Sequence, residues 1–350
     1  MAPAHLHKAR AVKNDEFYTQ TEDVARGMAQ FTDRDPDVFR GKTVLLPCDD
    51  PEWSAFTAHF LDNFHKYGLA RLISMSYAKP TEIMGEQPRG RVLDTTTGDR
   101  SWTYLDGDGD FRSLEVTRYR DQADMIITNP PFSQLNDFMG WATGADVDLA
   151  VVAPVTALGY WSVFPHIQSG RVWVGGAAYR APSRFRLPGD LGVKNVTTVW
   201  LTSIASNPRE RVTIPLRTMA ENRALADGKR SARFLYRHYV NCPAMEVPRV
   251  EWIPDDYDGL MGVPLSFLEK HPPHQFELVG ITSWWDPWFT AYGKKYGRQR
   301  AFRDGILVRI NNSLDNGGVF IHAPGPGEYY FDVGGVPHVS TFIRVIIRRR

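Results

Sequence analysis

The sequence predicts an α/β protein: a mostly parallel sheet covered by helices fills residues 1–205, and a region of different character follows over 206–350. Three observations predict it. Short, fully apolar runs alternate with helix-patterned segments through the first half, the pattern of strands buried on both faces. That rhythm stops near Ser206, beyond which Gly, Pro and aromatic residues are dense and no βαβ unit is visible. The charge also changes sign along the chain. Residues 1–160 hold 16 Lys and Arg against 24 Asp and Glu, whereas residues 161–350 hold 25 against 16.

Each element has its own signal. TVLLP (43–47) is a strand after Gly41-Lys42, and a helix is expected from Glu52 to Tyr67. ARLISMSY (70–77) is the second strand. RVLDTTTGDRSWTYLD (91–106) reads as a hairpin turning at Thr97-Gly98-Asp99. DMIIT (124–128) is a strand ended by Asn-Pro-Pro, with a helix from Gln134 to Thr143. DLAVVAP (148–154), a helix near Ser162–Ser169, RVWVGG (171–176) and NVTTVWLTSI (195–204) complete the series.

The bulk numbers exclude several classes. With 350 residues, 43% of them apolar and 23% charged, the chain can bury a core as one large or two ordinary domains. No apolar run approaches the ~20 residues that a membrane-spanning helix needs. The opening MAPAHLHKARAVKNDEF lacks the apolar stretch of a secretory signal. Two distant cysteines, Cys48 and Cys242, argue against a disulfide framework and a structural zinc, and a reducing cytoplasm is the expected location. His271 and His274 in HPPH have no companion ligands in sequence and read as a turn.

In an open α/β sheet, ligands sit outside the carboxyl ends of the strands. Asn129-Pro130-Pro131-Phe132 lies there, directly after DMIIT. An exocyclic amine on a purine is a poor nucleophile because its lone pair is delocalised. The Asn129 side-chain oxygen and the Pro130 carbonyl can accept from both amine hydrogens and favour a tetrahedral nitrogen able to attack a methyl sulfonium. Two prolines hold the carbonyls rigidly. Phe132 offers a face for stacking an extruded base. An ordinary strand-ending turn has the same composition. Taken alone, the loop leaves nucleic-acid amines and a glutamine side chain open as substrates.

The cofactor end is read from three segments. NDEFYTQ (14–20) precedes the first helix, with Thr21 as its cap and Phe17 and Tyr18 able to pack on a nucleoside or methionine portion. LLPCDDPEWSAF (45–56) occupies the first strand-to-helix turn, without the usual glycine-rich turn. Asp49 and Asp50 there can meet an amino group or ribose hydroxyls, or simply cap a helix. GDGDFRS (107–113) brings Asp110 as acceptor for an adenine amine, with Phe111 beside the ring, or else is a surface turn.

These segments, in the order NDEFYTQ, CDDP, GDF, NPPF, resemble the EcoRI-type family of adenine-specific DNA methyltransferases. The likeness continues through IPDDYDGLMGVPLSFLEKHPPHQFELVG (253–280) and the closing FIRVIIRRR (342–350). It implies a Rossmann-like S-adenosylmethionine-dependent methyltransferase sheet in residues 1–205 and a carboxyl-terminal DNA-recognition region in 206–350. It also implies methyl transfer to N6 of a flipped adenine in double-stranded DNA. By position, Asn129, Pro130, Pro131 and Phe132 match the catalytic loop. Phe17, Tyr18, Thr19, Cys48, Asp49, Asp50, Asp110 and Phe111 match the cofactor site, with Asn129 counted there too. A monomer is expected, with a cognate restriction endonuclease or a defence system as the partner class. One departure stands out: SMSY (74–77) has no acidic residue to hold the cofactor ribose.

The basic half supplies candidates for phosphate contact. Residues 180–240 hold 12 basic and 4 acidic residues. A second cluster, Lys294, Lys295, Arg298, Arg300 and Arg303, follows Trp284, Trp285 and Trp288, of which two are expected in the core. An RNA amine methyltransferase and an inactive DNA-binding homologue are the alternatives.

Overall fold

The computed structural model describes residues 19–79, 88–175, 184–186, 193–205, 212–294, 299–311, 320–322, 329–333 and 336–350. The chain divides into two compact units, Met1–Asn207 and Pro208–Arg350.

Seven strands of the first unit are β1 (Thr43–Leu46), β2 (Arg71–Met75), β3 (Arg91–Thr95), β4 (Trp102–Tyr104), β5 (Met125–Thr128), β6 (Asp148–Pro154) and β7 (Trp173–Val174). β8 (Arg184–Arg186) and β9 (Val193–Asn195) form a separate ribbon, and β10 (Thr198–Thr202) returns to the main sheet. The main sheet runs β4-β3-β2-β1-β5-β6-β10-β7. Its centre, β2-β1-β5-β6, is parallel, with Leu45 opposite both Ile73 and Ile126, and Ile127 opposite Ala150. The outer pairings β2–β3, β3–β4, β6–β10 and β10–β7 are antiparallel. The sheet is therefore mixed, where a mostly parallel one was expected. Apolar runs report burial on both faces but not strand direction, and β10 is as buried as the parallel strands.

The helices are α1 (Thr21–Thr32), α2 (Ala55–Asp62), α3 (Phe64–Tyr67), α4 (Leu114–Arg120), α5 (Leu135–Ala142) and α6 (Phe164–Gln168). Two boundaries differ from the sequence reading. The cap of α1 is Gln20, with Thr21 already helical. The helix expected from Glu52 starts at Ala55, because the Ser54 hydroxyl accepts from the Phe56 N–H and caps it there, and it breaks at Asn63. The hairpin around Gly98 forms as read, Gly98 adopting φ +83°.

The second unit holds two sheets and the short helices α7 (Met219–Ala226) and α8 (Pro287–Tyr292). The strands β11 (Met245–Glu246), β12 (Met261–Pro264), β13 (Phe276–Ile281) and β19 (Arg344–Arg349) are ordered β11-β12-β19-β13. β14 (Gln299–Arg303), β15 (Ile306–Asn311), β16 (Phe320–His322), β17 (Tyr329–Val333) and β18 (Val336–Ser340) form an antiparallel sheet, β15-β14-β17-β18-β16. The final strand β19 is central, with Val345, Ile346 and Ile347 fully buried. Its Arg344 guanidinium grips the buried Glu246 carboxylate from Nε (3.0 Å) and Nη2 (2.7 Å), and the Tyr239 hydroxyl donates to the same carboxylate. Trp284 and Trp288 pack against the core around Phe289, and all three tryptophans of the 284–288 segment are half-buried. HPPH is a turn, in which His271 bonds the Phe276 carbonyl and His274 faces Thr213. Among the described residues no group of side chains could hold a metal ion, and no helix is long and apolar enough to cross a membrane.

Candidate active site

β1 and β5 are neighbours, yet the chain continues from β1 to β2 on one side and from β5 to β6 on the other. A gap between strand-to-helix loops opens where the winding reverses, and it is where open α/β sheets bind ligands. The loops after β1 and β5 are Pro47-Cys48-Asp49-Asp50 and Asn129-Pro130-Pro131. Between them lies a cavity of about 160 Å³. Its wall contains Thr19, Cys48, Asp49, Asp50, Asp110, Phe111, Asn129, Pro130 and Pro131, nine of the residues singled out in the sequence. Segments separated by more than a hundred positions thus converge on one site.

Two of the sequence-predicted residues, Phe17 and Tyr18, lie outside the described residues. Phe132 is not on the cavity wall. Its ring is 2% exposed in the core of the first unit and meets Phe185 edge-on at 6.0 Å, so it supports the loop from behind instead of presenting a stacking face. The apolar pattern of DMIIT continues through the loop, and a phenylalanine inside it serves packing as readily as stacking.

The polar geometry is specific. The Asn129 Nδ2 donates to the Thr19 hydroxyl at 3.2 Å, which joins the loop after β5 to the segment before α1 and leaves the oxygen as the acceptor end of the carboxamide. Asp49 is 5% exposed and accepts from the hydroxyls of Thr128 (2.5 Å) and Ser54 (2.8 Å). Burial pushes its carboxyl up to about 7 and the Asp50 charge adds to this, against the two hydroxyls, which lower it. The Cys48 thiol is also pushed up, first by burial and then by the Asp49 charge. Asp50 accepts from the Glu52 N–H at 2.9 Å and lies 3.6 Å from the Arg91 guanidinium. Asp110 is held below the usual carboxylate range, chiefly by the Arg112 guanidinium, whose Nε (2.9 Å) and Nη2 (2.6 Å) both reach it. Phe111 packs edge-on to Phe138 at 5.3 Å.

Sequence reading missed Trp53, Ser54, Ser76, Tyr77 and Gln134, which also line the cavity. Ser76 and Tyr77 follow β2 at the position where an acidic residue was sought and not found. The loop 107–111 reaches them because Gly109, at φ +82°, lies so close to the Ser76 carbonyl that a Cβ has no room. Trp53 and Tyr77 stay more than 40% exposed, with large aromatic surface at the rim.

An acid-lined cavity at the switch point of a mixed sheet defines a ligand-binding α/β protein of the open-sheet class. Comparison with known proteins narrows this. The family model described as "Adenine-specific methyltransferase EcoRI" matches residues 5–349. The chain belongs to that family and is an adenine-specific methyltransferase. It is 31% identical over 304 residues to the Type II methyltransferase M.EcoRI of Escherichia coli, covering 78% of this chain and 88% of that protein. It is 28% identical to the Type II methyltransferase M.MpnI of Mycoplasma pneumoniae (79% and 85% covered). It is also 28% identical to M.MgeORF184P of Mycoplasma genitalium, with 99% of each chain covered. No solved structure matches significantly.

Proposed function

We propose that this protein transfers a methyl group from S-adenosylmethionine to N6 of an adenine in double-stranded DNA, within a Rossmann-like sheet, the second unit acting as the DNA-recognition region. The observation that carries the reading is the convergence of Asn129-Pro130, Cys48-Asp49-Asp50 and Asp110-Phe111 on one cavity at the β1/β5 switch point. The donor set suits the cofactor: carboxylates for a cationic amino acid and ribose hydroxyls, and the aromatic rings of Phe111, Trp53 and Tyr77 for a purine. When bound, S-adenosylmethionine supplies an electrophilic methyl on a positively charged sulfur.

The chain's own residues do the rest. The Asn129 oxygen and the Pro130 carbonyl accept from the two hydrogens of the target amine and pull its lone pair out of conjugation. Pro130 and Pro131 keep these acceptors from moving as charge develops. Thr19 holds the Asn129 amide nitrogen, so the acceptor end keeps its direction. With Phe132 in the core, the stacking surface for the extruded base falls to the aromatics at the rim, Trp53 and Tyr77. The relatives are named type II methyltransferases, and a cognate restriction endonuclease is the partner this reading expects.

The test is to incubate the protein with S-adenosylmethionine and, in parallel, duplex DNA, RNA and a glutamine-containing peptide, and then to hydrolyse each and identify the product by mass spectrometry. N6-methyladenine in DNA alone is the expected result. Methyl groups in RNA or peptide alone would refute the DNA assignment.

A further inference from the structure

Asp49 stands at the centre of a buried polar network that the methyl-transfer chemistry does not itself require. Its Oδ2 accepts from Thr128 at 2.5 Å, its Oδ1 from Ser54 at 2.8 Å, and its backbone carbonyl from Ser74 at 2.5 Å. Thr57 continues the chain, 2.6 Å from the Ser74 hydroxyl and 3.2 Å from the Asp50 carbonyl. All five side chains are buried, Ser74 and Thr128 completely. The network ties together the loop after β1, the end of β5, the start of α2 and the last residues of β2.

A buried carboxylate held by neutral hydroxyls is an expensive way to fill space, since burying such a group costs several kcal/mol without full compensation. Apolar residues of similar size would pack the same joint, so geometry is the better explanation than stability. Thr128 is the last residue of β5, and Asn129 follows it directly. Ser54 is the cap of α2 and, like Asp49, lines the cavity. Asp49 therefore links the residue before Asn129 to the cap of α2, and adds a side-chain tie to the β1–β5 pairing that already sets the two loops side by side.

We infer that Asp49 is a positioning residue: instead of contacting the cofactor, it fixes the Asn129 acceptor against the cofactor wall through Thr128 and Ser54. This rests on the cavity reading proposed above. It separates Asp49 from Asp50, leaving Asp50 and Asp110 as the acidic residues facing the cofactor. A reacting group displaced by about 1 Å loses on the order of 100-fold in rate while ground-state binding is little changed.

The test measures S-adenosylmethionine affinity by calorimetry and kcat on duplex DNA for Thr128→Val, Thr128→Ser, Asp49→Asn and the double variant Asp49→Asn/Thr128→Val. The expected result is a kcat at least about 10-fold lower in Thr128→Val and Asp49→Asn, with cofactor affinity within about threefold of the parent. Thr128→Ser, which keeps the hydroxyl, restores kcat, and the double variant is no worse than either single one. The inference is overturned if Asp49→Asn weakens cofactor binding as much as it lowers kcat, if Thr128→Val leaves kcat unchanged, or if Thr128→Ser fails to restore it. Failure of the parent protein itself to bind S-adenosylmethionine would refute the underlying cavity reading, a different outcome from any of these.

Discussion

At the scale of single residues, the site is governed by what burial does to charge. Asp49, pushed up to about 7, holds its proton more tightly in the folded chain than in the unfolded one, where an aspartate titrates near 4. Its contribution to stability is complete below about pH 4 and is lost as the pH rises through about 7. Thermal melts of the parent protein and of Asp49→Asn between pH 5.5 and pH 8 should therefore differ in slope. The parent loses melting temperature with rising pH and the variant loses less; parallel curves would contradict the assignment. Asp110 shows the opposite case, held ionised by the Arg112 fork. Two carboxylates in one cavity are thus set apart by their neighbours, a distinction that identical residue letters cannot express.

Among the elements, the tightest constraint is the meeting of the 107–111 loop with the end of β2. Gly109 combines φ +82° with an approach to the Ser76 carbonyl that leaves no space for a side chain. Glu115 of α4 holds the same loop through the N–H groups of Asp106 and Gly107, both at 2.9 Å. Gly109→Ala is expected to cost at least about 1–3 kcal/mol of stability and to weaken cofactor binding, because the loop that carries Asp110 and Phe111 must withdraw. Denaturant unfolding and calorimetry check both effects; an alanine variant with unaltered cofactor affinity would show the loop to be irrelevant to the site. This contact was invisible in the sequence, where GDGD reads only as a turn. By contrast the buried strands β1, β5 and β6 were legible, since a strand covered on both faces has no polar alternation to hide it. Apart from the β3–β4 hairpin, the antiparallel edges were not legible, because direction is set by pairing partners far along the chain, such as Val199 with Ala153. The burial of Phe132 was not legible for a related reason: core packing and a stacking platform use the same residue, and its contact with Phe185 is visible only in the fold.

For the whole molecule, a net charge of +1 conceals an acidic stretch over residues 1–160 and a basic one over 161–350. If the second unit binds the DNA backbone as proposed, affinity falls with salt, and each phosphate contact removed lowers the log–log slope by about 0.9. Arg300 and Arg303, both exposed on β14, are the contacts to remove, whereas Lys295 and Arg298 of the same cluster lie outside the described residues. Arg300→Ala/Arg303→Ala should weaken DNA binding and flatten its salt dependence while leaving cofactor affinity intact; an unchanged slope would place the DNA elsewhere. The reaction class was legible from Asn129-Pro130-Pro131 and the order of the surrounding segments, whereas Trp53, Ser76 and Tyr77 carried no signal until the fold brought them to the cavity. In the proposed mechanism this loop performs the transfer in a cavity that holds the cofactor independently of it. The most direct measurement is made on Asn129→Ala, following S-adenosylmethionine binding by calorimetry and methyl incorporation into duplex DNA side by side. Incorporation is expected to be abolished while the cofactor still binds. Retained incorporation, or loss of binding together with activity, would contradict it.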